Sequence, residues 1–178
     1  MTAKSRAAQV LSRLPEGAVV GAEIGVFRGK MSTLLLARPD LTLYMVDNWQ
    51  PVAGLEDVGY GKDAQESNRS FAASSVRFAG GRAIIKHMDS VDAAETVDDG
   101  SLDFVFIDAG HDYDSVKSDI NAWFRKVKKG GLFGGHDYEN PNEKFGHQVK
   151  LAVDEFADEY GQPFQICEGH TWFMRIKQ

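Results

Sequence analysis

Apolar residues recur along the chain with two different periods, which alternate from one segment to the next. Short apolar runs that stop at a glycine or a polar residue are typical of strands buried on both faces of a sheet. Segments in which apolar residues return every three or four positions are typical of helices that bury one face. The predicted strands are 18–25, 41–47, 83–87, 102–108, 132–135, 163–167 and 171–176. The predicted helices are 3–14, 31–37, 63–78, 91–97, 114–128 and a last one through Val149, Val153, Phe156 and Tyr160.

The order of these elements predicts an α/β fold. Strand–helix units follow one another, and a parallel crossover needs about a dozen residues, usually in a helix. The chain then ends with a helix and two strands that are too close together for another helix between them. We therefore predict a doubly wound, mainly parallel seven-stranded sheet with an antiparallel C-terminal edge strand. No repeat or linker interrupts the pattern, so residues 1–178 are expected to form a single domain with an N-terminal helix within 1–15.

Residues 50–62 form the one long segment without a helical or strand period, and they include Pro51 and three glycines. Long loops inside compact domains tend to bind ligands or to close over them. We therefore expect 50–62 to be a lid loop.

Composition and charge narrow the class of partner. The 178 residues are 43% apolar and 26% charged, which is ordinary for a globular protein. The chain has 20 basic and 26 acidic residues, so its net charge is −6. Binding nucleic acid would need a basic surface to contact the phosphates. The one dense basic cluster, 125–129, comes at the end of a predicted helix that Gly130 would cap, where cations complement the helix dipole. Nucleic acid is therefore not an expected partner.

The sequence also predicts where the protein resides. No apolar run approaches the roughly 18 residues that span a bilayer, so no membrane partner is expected. The first residues lack the apolar segment of a secretory signal. Cys167 is the single cysteine and has no partner for an internal disulfide, which suits a reducing compartment. We expect a cytoplasmic protein.

Candidate chemistry lies where the predicted strands end, since ligands of open α/β sheets bind beyond the carboxyl ends of the strands. The first strand ends in a Glu23–Gly29 segment, EIGVFRG, whose glycines at 25 and 29 let the backbone turn tightly beside a ligand. The dinucleotide fingerprint G-x-G-x-x-G is absent, which disfavours a pyrophosphate cofactor. An acidic Glu23 suits a ligand with a cationic centre. The alternative is that both glycines serve only the turn.

Two further strand ends carry an acid. Asp47 follows Gly25 by 22 residues (47 − 25), the spacing of an acid that binds ribose hydroxyls. Trp49 either stacks on a ligand nearby or packs in the protein. Asp89 and Ser90 end the third strand, where Asp89 either accepts from an adenine amine or caps the next helix.

The fourth and fifth strands each end in an aspartate with a histidine close by. Asp108 and His111 belong to IDAGHDY, while His136 and Asp137 belong to GGHDY. Carboxylates suit Mg²⁺, Mn²⁺ or Ca²⁺, and added imidazoles move the preference toward Mn²⁺, Fe²⁺ or Zn²⁺. A surface role is the alternative, although the repetition of the pair on neighbouring strand ends argues for a site.

In this order and spacing, EIGVFRG, FIDAGHDYDSVKSDI and GGHDY resemble class I S-adenosylmethionine-dependent methyltransferases, from about residue 19 to 176. The nearest subgroup holds the metal-dependent O-methyltransferases of the caffeoyl-CoA and catechol type, macrocin O-methyltransferase and cephalosporin-hydroxylase-like proteins. The resemblance implies a Rossmann-like methyltransferase fold and S-adenosyl-L-methionine as cofactor. The cofactor-binding residues that it implies are Glu23, Gly25, Val26, Gly29, Asp47, Asn48, Asp89, Ser90 and Asp108.

The same resemblance implies a divalent metal, Mg²⁺ or Mn²⁺, held by Asp108 and Asp137 with His136. Related metal sites carry an acid or amide beside the last aspartate, whereas this chain has His136 before it and Tyr138 after it. His111 and His136 are the candidate catalytic bases, because imidazole titrates near neutral pH. Of the two, we favour His111 as the base and His136 as the ligand.

The predicted function is methyl transfer from S-adenosylmethionine to a hydroxyl oxygen of a small-molecule acceptor. One alternative is a module that binds S-adenosylmethionine without transferring its methyl group, and a weaker one is a nicotinamide-dependent reductase. The acceptor would meet the 50–62 loop, the N-terminal helix and the loop 140–146. A homodimer is also predicted, because the apolar stripe of the N-terminal helix would fit the sheet of a second subunit.

Overall fold

The computed structural model describes residues 2–142 and 146–177, without the side chain of Val58. The strands are β1 Val19–Ile24, β2 Leu41–Asp47, β3 Ala83–His87, β4 Leu102–Ile107, β5 Val127–Gly135, β6 Gln165–Cys167 and β7 Thr171–Arg175. The helices are α1 Ala3–Leu11, α2 Lys30–Leu36, α3 Lys62–Ser75, α4 Ser90–Glu95, α5 Tyr113–Phe124 and α6 Gly146–Tyr160. Two short 3-10 helices cover Glu56–Val58 and Arg77–Arg82.

The strands form one seven-stranded sheet in the order β3-β2-β1-β4-β5-β7-β6. β1 to β5 pair in parallel, and β7 is antiparallel to both β5 and β6. The predicted doubly wound, mainly parallel sheet is confirmed, with the refinement that the antiparallel strand is β7 and the edge strand beside it is β6. The strand order reverses between β1 and β4, which makes their carboxyl ends the expected ligand position.

The sheet separates two apolar cores. On one face, α1, α2 and α3 pack on the sheet, and Phe104 and Phe106 of β4 point into this core. On the other face lie α4, α5 and α6, with Val105 and Ile107 of β4 pointing toward them. Because successive side chains of a strand point to opposite faces, the continuous apolar run of β4 supplies both cores.

The predicted helix 114–128 is too long at its carboxyl end. α5 ends at Phe124, and β5 begins at Val127, which pairs with Leu102 of β4. Gly130 caps no helix: it lies inside β5 with φ 78°, next to the place where the register with β4 shifts. Pairing with a buried strand outweighs the helix propensity of the lysines here.

The basic cluster 125–129 is consequently not a solvated helix end. Lys126 is buried and its Nζ lies 2.6 Å from Asp99 Oδ1. Lys128 Nζ lies 2.8 Å from Asp103 Oδ1 at the start of β4. Arg125 Nε lies 3.7 Å from the same Asp99 oxygen, so three cations of the cluster are paired with acids of the same fold.

The N-terminal helix is shorter than predicted and packs on its own chain. α1 ends at Leu11 rather than at 14, and Ala7 and Val10 are buried in the core under α2. The apolar stripe on which the homodimer prediction rests is therefore covered by the chain's own sheet. Similarly, α3 ends at Ser75 rather than at 78, because the chain turns into a 3-10 segment.

The other elements lie where predicted, with ends displaced by a few residues, and β2 and β3 have the predicted bounds. Within the residues that the structure covers, the helices are all too short or too polar to cross a membrane.

Candidate active site

The carboxyl ends of β1, β2, β4 and β5 form one rim at the reversal of strand order. Backbone hydrogen bonds continue the sheet just past the strand ends. Gly25 N donates to Val46 O at 2.9 Å, Asp108 N to Ile24 O at 2.7 Å, and His136 N to Ile107 O at 3.0 Å. The first residue of each loop is therefore held as firmly as the strand before it.

The loop after β1 turns at Gly25, which has φ 89°. A Cβ atom at this position would lie 2.1 Å from the carbonyl oxygen of Asp108, so no other residue fits. Gly29 directly precedes α2 with φ 70°, and a Cβ atom there would lie 3.0 Å from Ala72 Cα. The tight turn proposed for these glycines is present, and it brings the loop against the end of β4.

Glu23 is buried in β1 directly before the turn. Ser32 Oγ donates a hydrogen bond of 2.6 Å to Glu23 Oε2. Burial raises the pKa of Glu23 to about 8, against the opposing effects of the Ser32 hydroxyl and the Arg6 guanidinium. At neutral pH Glu23 is therefore mostly protonated until a cation approaches it.

Asp47 ends β2 and ties the loop after β1 to the rim. Its Oδ2 accepts from the backbone of Val26 at 2.9 Å and of Phe27 at 2.8 Å, and its Oδ1 accepts from Trp49 N at 2.8 Å. Asn48 Oδ1 accepts from Gln50 N at 3.0 Å. The acid is in the predicted place, and its orientation is set before any ligand arrives.

Of the two roles considered for Trp49, stacking on a ligand or packing in the protein, the structure shows packing. Only 5% of its surface is exposed, and its Nε1 donates to Phe27 O at 2.7 Å. Its ring lies edge-on to the His87 ring with centroids 5.6 Å apart. The indole thus supports the loop after β1 from below.

Asp89 caps α4, with Oδ1 accepting from Val91 N at 3.1 Å. Ser90 Oγ accepts from Trp123 Nε1 at 2.9 Å and also bonds to the buried carboxyl of Asp119. The Ser90 side chain therefore faces α5. Of the two roles considered for Asp89, this structure shows the helix cap.

Asp137 lies at the centre of a histidine pair beyond β5. His111 Nε2 is 2.7 Å and His136 Nδ1 is 3.0 Å from Asp137 Oδ2, and Asn140 Nδ2 donates to Oδ1. Burial raises the pKa of Asp137, but these three hydrogen bonds outweigh it and hold the pKa well below its usual range. Asp137 has φ 62°, a left-handed conformation that aspartate tolerates better than most residues.

The two imidazoles differ in access. The His111 side chain is 28% exposed, whereas that of His136 is 8% exposed. Burial lowers the pKa of His111, but its hydrogen bond to Asp137 and the nearby negative charges outweigh this effect, so that the pKa is raised. His136 Nε2 is buried and has no hydrogen-bond partner among the residues described.

Asp108 completes the cluster at the end of β4. Its Oδ1 lies 3.8 Å from His136 Nδ1, and its Oδ2 lies 3.3 Å from Arg6 Nη2. Burial raises the pKa of Asp108 against the opposing charge of Arg6. Donor atoms of Asp108, His111 and Asp137 all lie within 4.8 Å of one another, a mixed carboxylate–imidazole set that fits a divalent cation.

Arg6 is the residue of this site that the sequence reasoning missed. It lies four positions before Val10 on α1, so it shares the buried face of that helix. A cation on the apolar stripe was the available signal, but its partner Asp108 follows only from the docking of α1 on the sheet.

A rim of this kind at the reversal of a doubly wound sheet is where α/β proteins of this class bind their ligands. Solved structures share the fold. The O-methyltransferase NovP is 20% identical, with 99% of this chain and 78% of that chain covered and a TM-score of 0.65. CalS11, described as a TDP-rhamnose 3'-O-methyltransferase, is 14% identical over 96% and 77%, with a TM-score of 0.64. Precorrin-6y C5,15-methyltransferase from Geobacter metallireducens is 13% identical over 100% and 90%, with a TM-score of 0.69.

A family model described as a methyltransferase domain matches residues 22–138, which include every rim residue described above except Arg6 and Asn140. The chain therefore belongs to this methyltransferase family, and its methyl donor is S-adenosylmethionine. A comparison with curated proteins gives no match.

Proposed function

We propose that this methyltransferase transfers the methyl group to a hydroxyl oxygen of a small molecule. The observation that carries the proposal is the His111–Asp137–His136 cluster beside Asp108 at the strand-order reversal. A hydroxyl must lose its proton as it attacks the methyl carbon, and an oriented imidazole is the common acceptor of that proton. The O-methyltransferase descriptions of NovP and CalS11 agree with this chemistry.

His111 is the proposed base. It is the more exposed of the two imidazoles, and its hydrogen bond to Asp137 fixes the ring and its tautomer. His136, which is buried between Asp137 and Asp108, is the proposed orienting residue or metal ligand.

The proposed metal residues are Asp108 and Asp137 with an imidazole. The residues present fit such a group, because donor atoms of Asp108, Asp137 and the His111 imidazole all lie within 4.8 Å of one another, and His136 Nδ1 lies 3.0 Å from Asp137 Oδ2. A bound Mg²⁺ or Mn²⁺ would lower the pKa of the acceptor hydroxyl and orient it.

The proposed cofactor contacts follow the rim from β1 to β3. Glu23, Gly25, Val26 and Gly29 would meet the methionine end. Asp47 and Asn48 would meet the ribose. A carboxylate offers about four lone-pair sites. Three backbone donors occupy part of those of Asp47, and the rest could accept from the ribose hydroxyls. Asp89 with Ser90 would border the adenine, through backbone groups where the side chains are engaged.

The 50–62 loop is the proposed lid. The Tyr60 ring stacks on Phe27 with centroids 5.2 Å apart. Burial raises the pKa of Tyr60, and the charges of Asp108, Asp47 and Asp137 raise it further, because the phenol lies close to the rim. Part of the loop 140–146, the other proposed acceptor wall, lies outside the described residues. The Tyr113 and Tyr138 hydroxyls are engaged with Glu155 and Asp154 of α6, so Tyr60 is the aromatic favoured for acceptor contact.

The first experiment is calorimetric titration with S-adenosylhomocysteine, with and without Mg²⁺ or Mn²⁺. Micromolar binding supports the cofactor site, and absence of binding under every condition contradicts it. NAD in place of S-adenosylhomocysteine tests the reductase alternative, for which we expect no heat of binding.

The metal is tested with Asp137→Asn, which removes the charge at nearly constant volume. We expect loss of Mn²⁺ binding with S-adenosylhomocysteine affinity largely kept. The matched control is Asp92→Asn, an exposed acid of α4. Unchanged Mn²⁺ affinity in Asp137→Asn contradicts the metal assignment.

The base is tested with His111→Gln in an assay of S-adenosylhomocysteine release from a panel of phenols, catechols and sugars. General-base assistance is typically worth 10²–10⁴-fold, so a loss of about that size is expected. Cofactor binding without release from any acceptor would favour the binding-module alternative.

A further inference from the structure

We propose that Arg6 of α1 is the residue that recognises the carboxylate of the methionine moiety of the cofactor. This inference rests on S-adenosylmethionine being the methyl donor, and it adds a residue outside the matched segment 22–138 to the site. The argument depends on the position of Arg6, its unused donors and the charges around it.

α1 holds the Arg6 side chain against the rim. Ala7 and Val10, which flank it on the buried face of the helix, are 1% and 0% exposed. The guanidinium reaches the end of β4, where Nη2 lies 3.3 Å from Asp108 Oδ2, and the side chain is 19% exposed. Arg6 is therefore delivered to the site by a helix that is packed in the core.

The guanidinium has a hydrogen-bond donor to spare. Arg6 Nε is buried, and no acceptor for it is present in the described part of the chain. A buried donor without a partner is costly, so a site that keeps one normally offers it to a ligand. A ligand carboxylate that accepts from Nε and a terminal nitrogen together would make the paired contact that arginine favours.

The surrounding charges suit a zwitterion. The Arg6 guanidinium lies 3.3 Å from Asp108 Oδ2, and its charge also opposes the effect of burial, which raises the pKa of both Glu23 and Asp108. The amino-acid end of S-adenosylmethionine carries one carboxylate and one ammonium group. The cation of Arg6 complements the carboxylate, and the carboxyl groups of Glu23 and Asp108 complement the ammonium.

The proposed role of Arg6 still allows Asp108 to serve as a metal ligand. Oδ2 of Asp108 faces Arg6, whereas Oδ1 lies toward His136. The Asp108 carboxylate thus faces Arg6 at the cofactor end of the rim with one oxygen and the histidine cluster with the other.

The test compares two ligands that differ only in the carboxylate: S-adenosylhomocysteine and its decarboxylated analogue, S-adenosyl-3-thiopropylamine. Both are titrated calorimetrically into the wild-type protein and into Arg6→Met in metal-free buffer. We expect Arg6→Met to weaken S-adenosylhomocysteine binding about 10- to 100-fold, the range of a hydrogen bond to a charged group. The analogue should lose less than about threefold, because it has no carboxylate for Arg6 to bind.

Two further variants guard the result. Arg6→Lys keeps the charge but not the paired donors, and it should retain part of the preference for S-adenosylhomocysteine over the analogue. Lys4→Met, an exposed cation of the same helix, should change neither affinity. Thermal melts establish that each variant is folded.

Equal weakening of both ligands by Arg6→Met would overturn the proposal, because Arg6 would then act through the fold or through Asp108. Unchanged affinity of Arg6→Met for S-adenosylhomocysteine would also overturn the proposal. This holds even if the variant binds a carboxylated acceptor more weakly. If the folded wild-type protein binds neither ligand, the cofactor site itself fails, which is a separate result.

Discussion

Glu23 and Asp137 lie on the same rim, yet their surroundings move their pKa values in opposite directions. Glu23 is buried with one hydroxyl donor, and burial raises its pKa to about 8. Asp137 is also buried, but two imidazoles and an amide donate to it, and its pKa falls. Near neutral pH the rim therefore combines a mostly neutral acid with a permanent anion, an arrangement that separates proton-handling roles in many enzymes.

Gly25→Ala tests how tightly the loop after β1 packs on β4. A Cβ atom would lie 2.1 Å from Asp108 O, in addition to the strain of a positive φ. We expect the free energy of unfolding to fall by about 3 kcal/mol or more, measured by urea denaturation. The matched control is Gly17→Ala: φ is 86° and no atom lies within 4 Å, so only the strain of about 1–2 kcal/mol should appear. Equal losses in both variants would show that the contact with Asp108 is unimportant.

Asp119→Asn tests the buried acid between α5 and α4. Burial raises the pKa of Asp119 from 3.8 to about 6, partly offset by a hydrogen bond to Ser90. The folded state therefore binds its proton more tightly than the unfolded state does. Its stabilising effect is complete below pH 3.8 and is lost as the pH rises through about 6. The shift corresponds to roughly 3 kcal/mol at neutral pH.

Asparagine keeps an oxygen that accepts from the Ser90 hydroxyl and carries no charge. We therefore expect Asp119→Asn to unfold at higher urea concentration than wild type at pH 7, with little difference at pH 4. Asp92→Asn, on the surface of α4, should show no such difference at either pH. A variant that is less stable than wild type at pH 7 would contradict the predicted ionisation.

At the level of elements, the sequence predicts the strands best where both faces are buried. The apolar run of β2 gives the observed bounds, since few other structures bury such a run. β3 also has the predicted bounds, although it is a partly exposed edge strand. β5 begins with the residues VKKGG, and the sequence predicts a helix as far as 128 because local propensity favours one there. Only pairing with Leu102 of β4 makes Val127 part of a strand.

The same limit applies to the site. Strand-end acids could be located from the pattern, but whether Asp89 caps α4 or faces a ligand depends on a hydrogen bond to Val91 that the sequence does not contain. Arg6 could not be placed because its contact with Asp108 joins residues far apart in the chain.

Val10→Ala tests the docking of α1, the element that delivers Arg6. Val10 is 0% exposed, and removing two methyl groups from the core is expected to cost about 1.5–3 kcal/mol of unfolding free energy. Lys4→Ala, on the exposed side of the same helix, should change stability by less than about 0.5 kcal/mol. A negligible effect of Val10→Ala in chemical denaturation would mean that α1 contributes little to the core.

For the whole molecule, the rim joins loops that lead to helices on both faces of the sheet, so a ligand there would contact loops from both halves. Binding to the folded state alone stabilises a protein by about 2.7 kcal/mol at 100 times the dissociation constant. For a chain of this length we expect S-adenosylhomocysteine to raise the melting temperature by roughly 5–10 °C. NAD at the same concentration should leave it unchanged, and an equal shift with NAD would contradict the cofactor assignment.

Backbone hydrogen bonds extend the sheet past β1, β4 and β5. They predict that amides in different parts of the site exchange their hydrogens at different rates. The amides of Gly25, Asp108 and His136 are bonded within the central strands, so their hydrogens should exchange only when the whole domain opens. Ala53 and Gly54 of the 50–62 loop are exposed, and their amides should exchange early. A cofactor that closes this loop would therefore be recorded as new protection above the rim, while the amides beneath it keep the slow exchange that they already have.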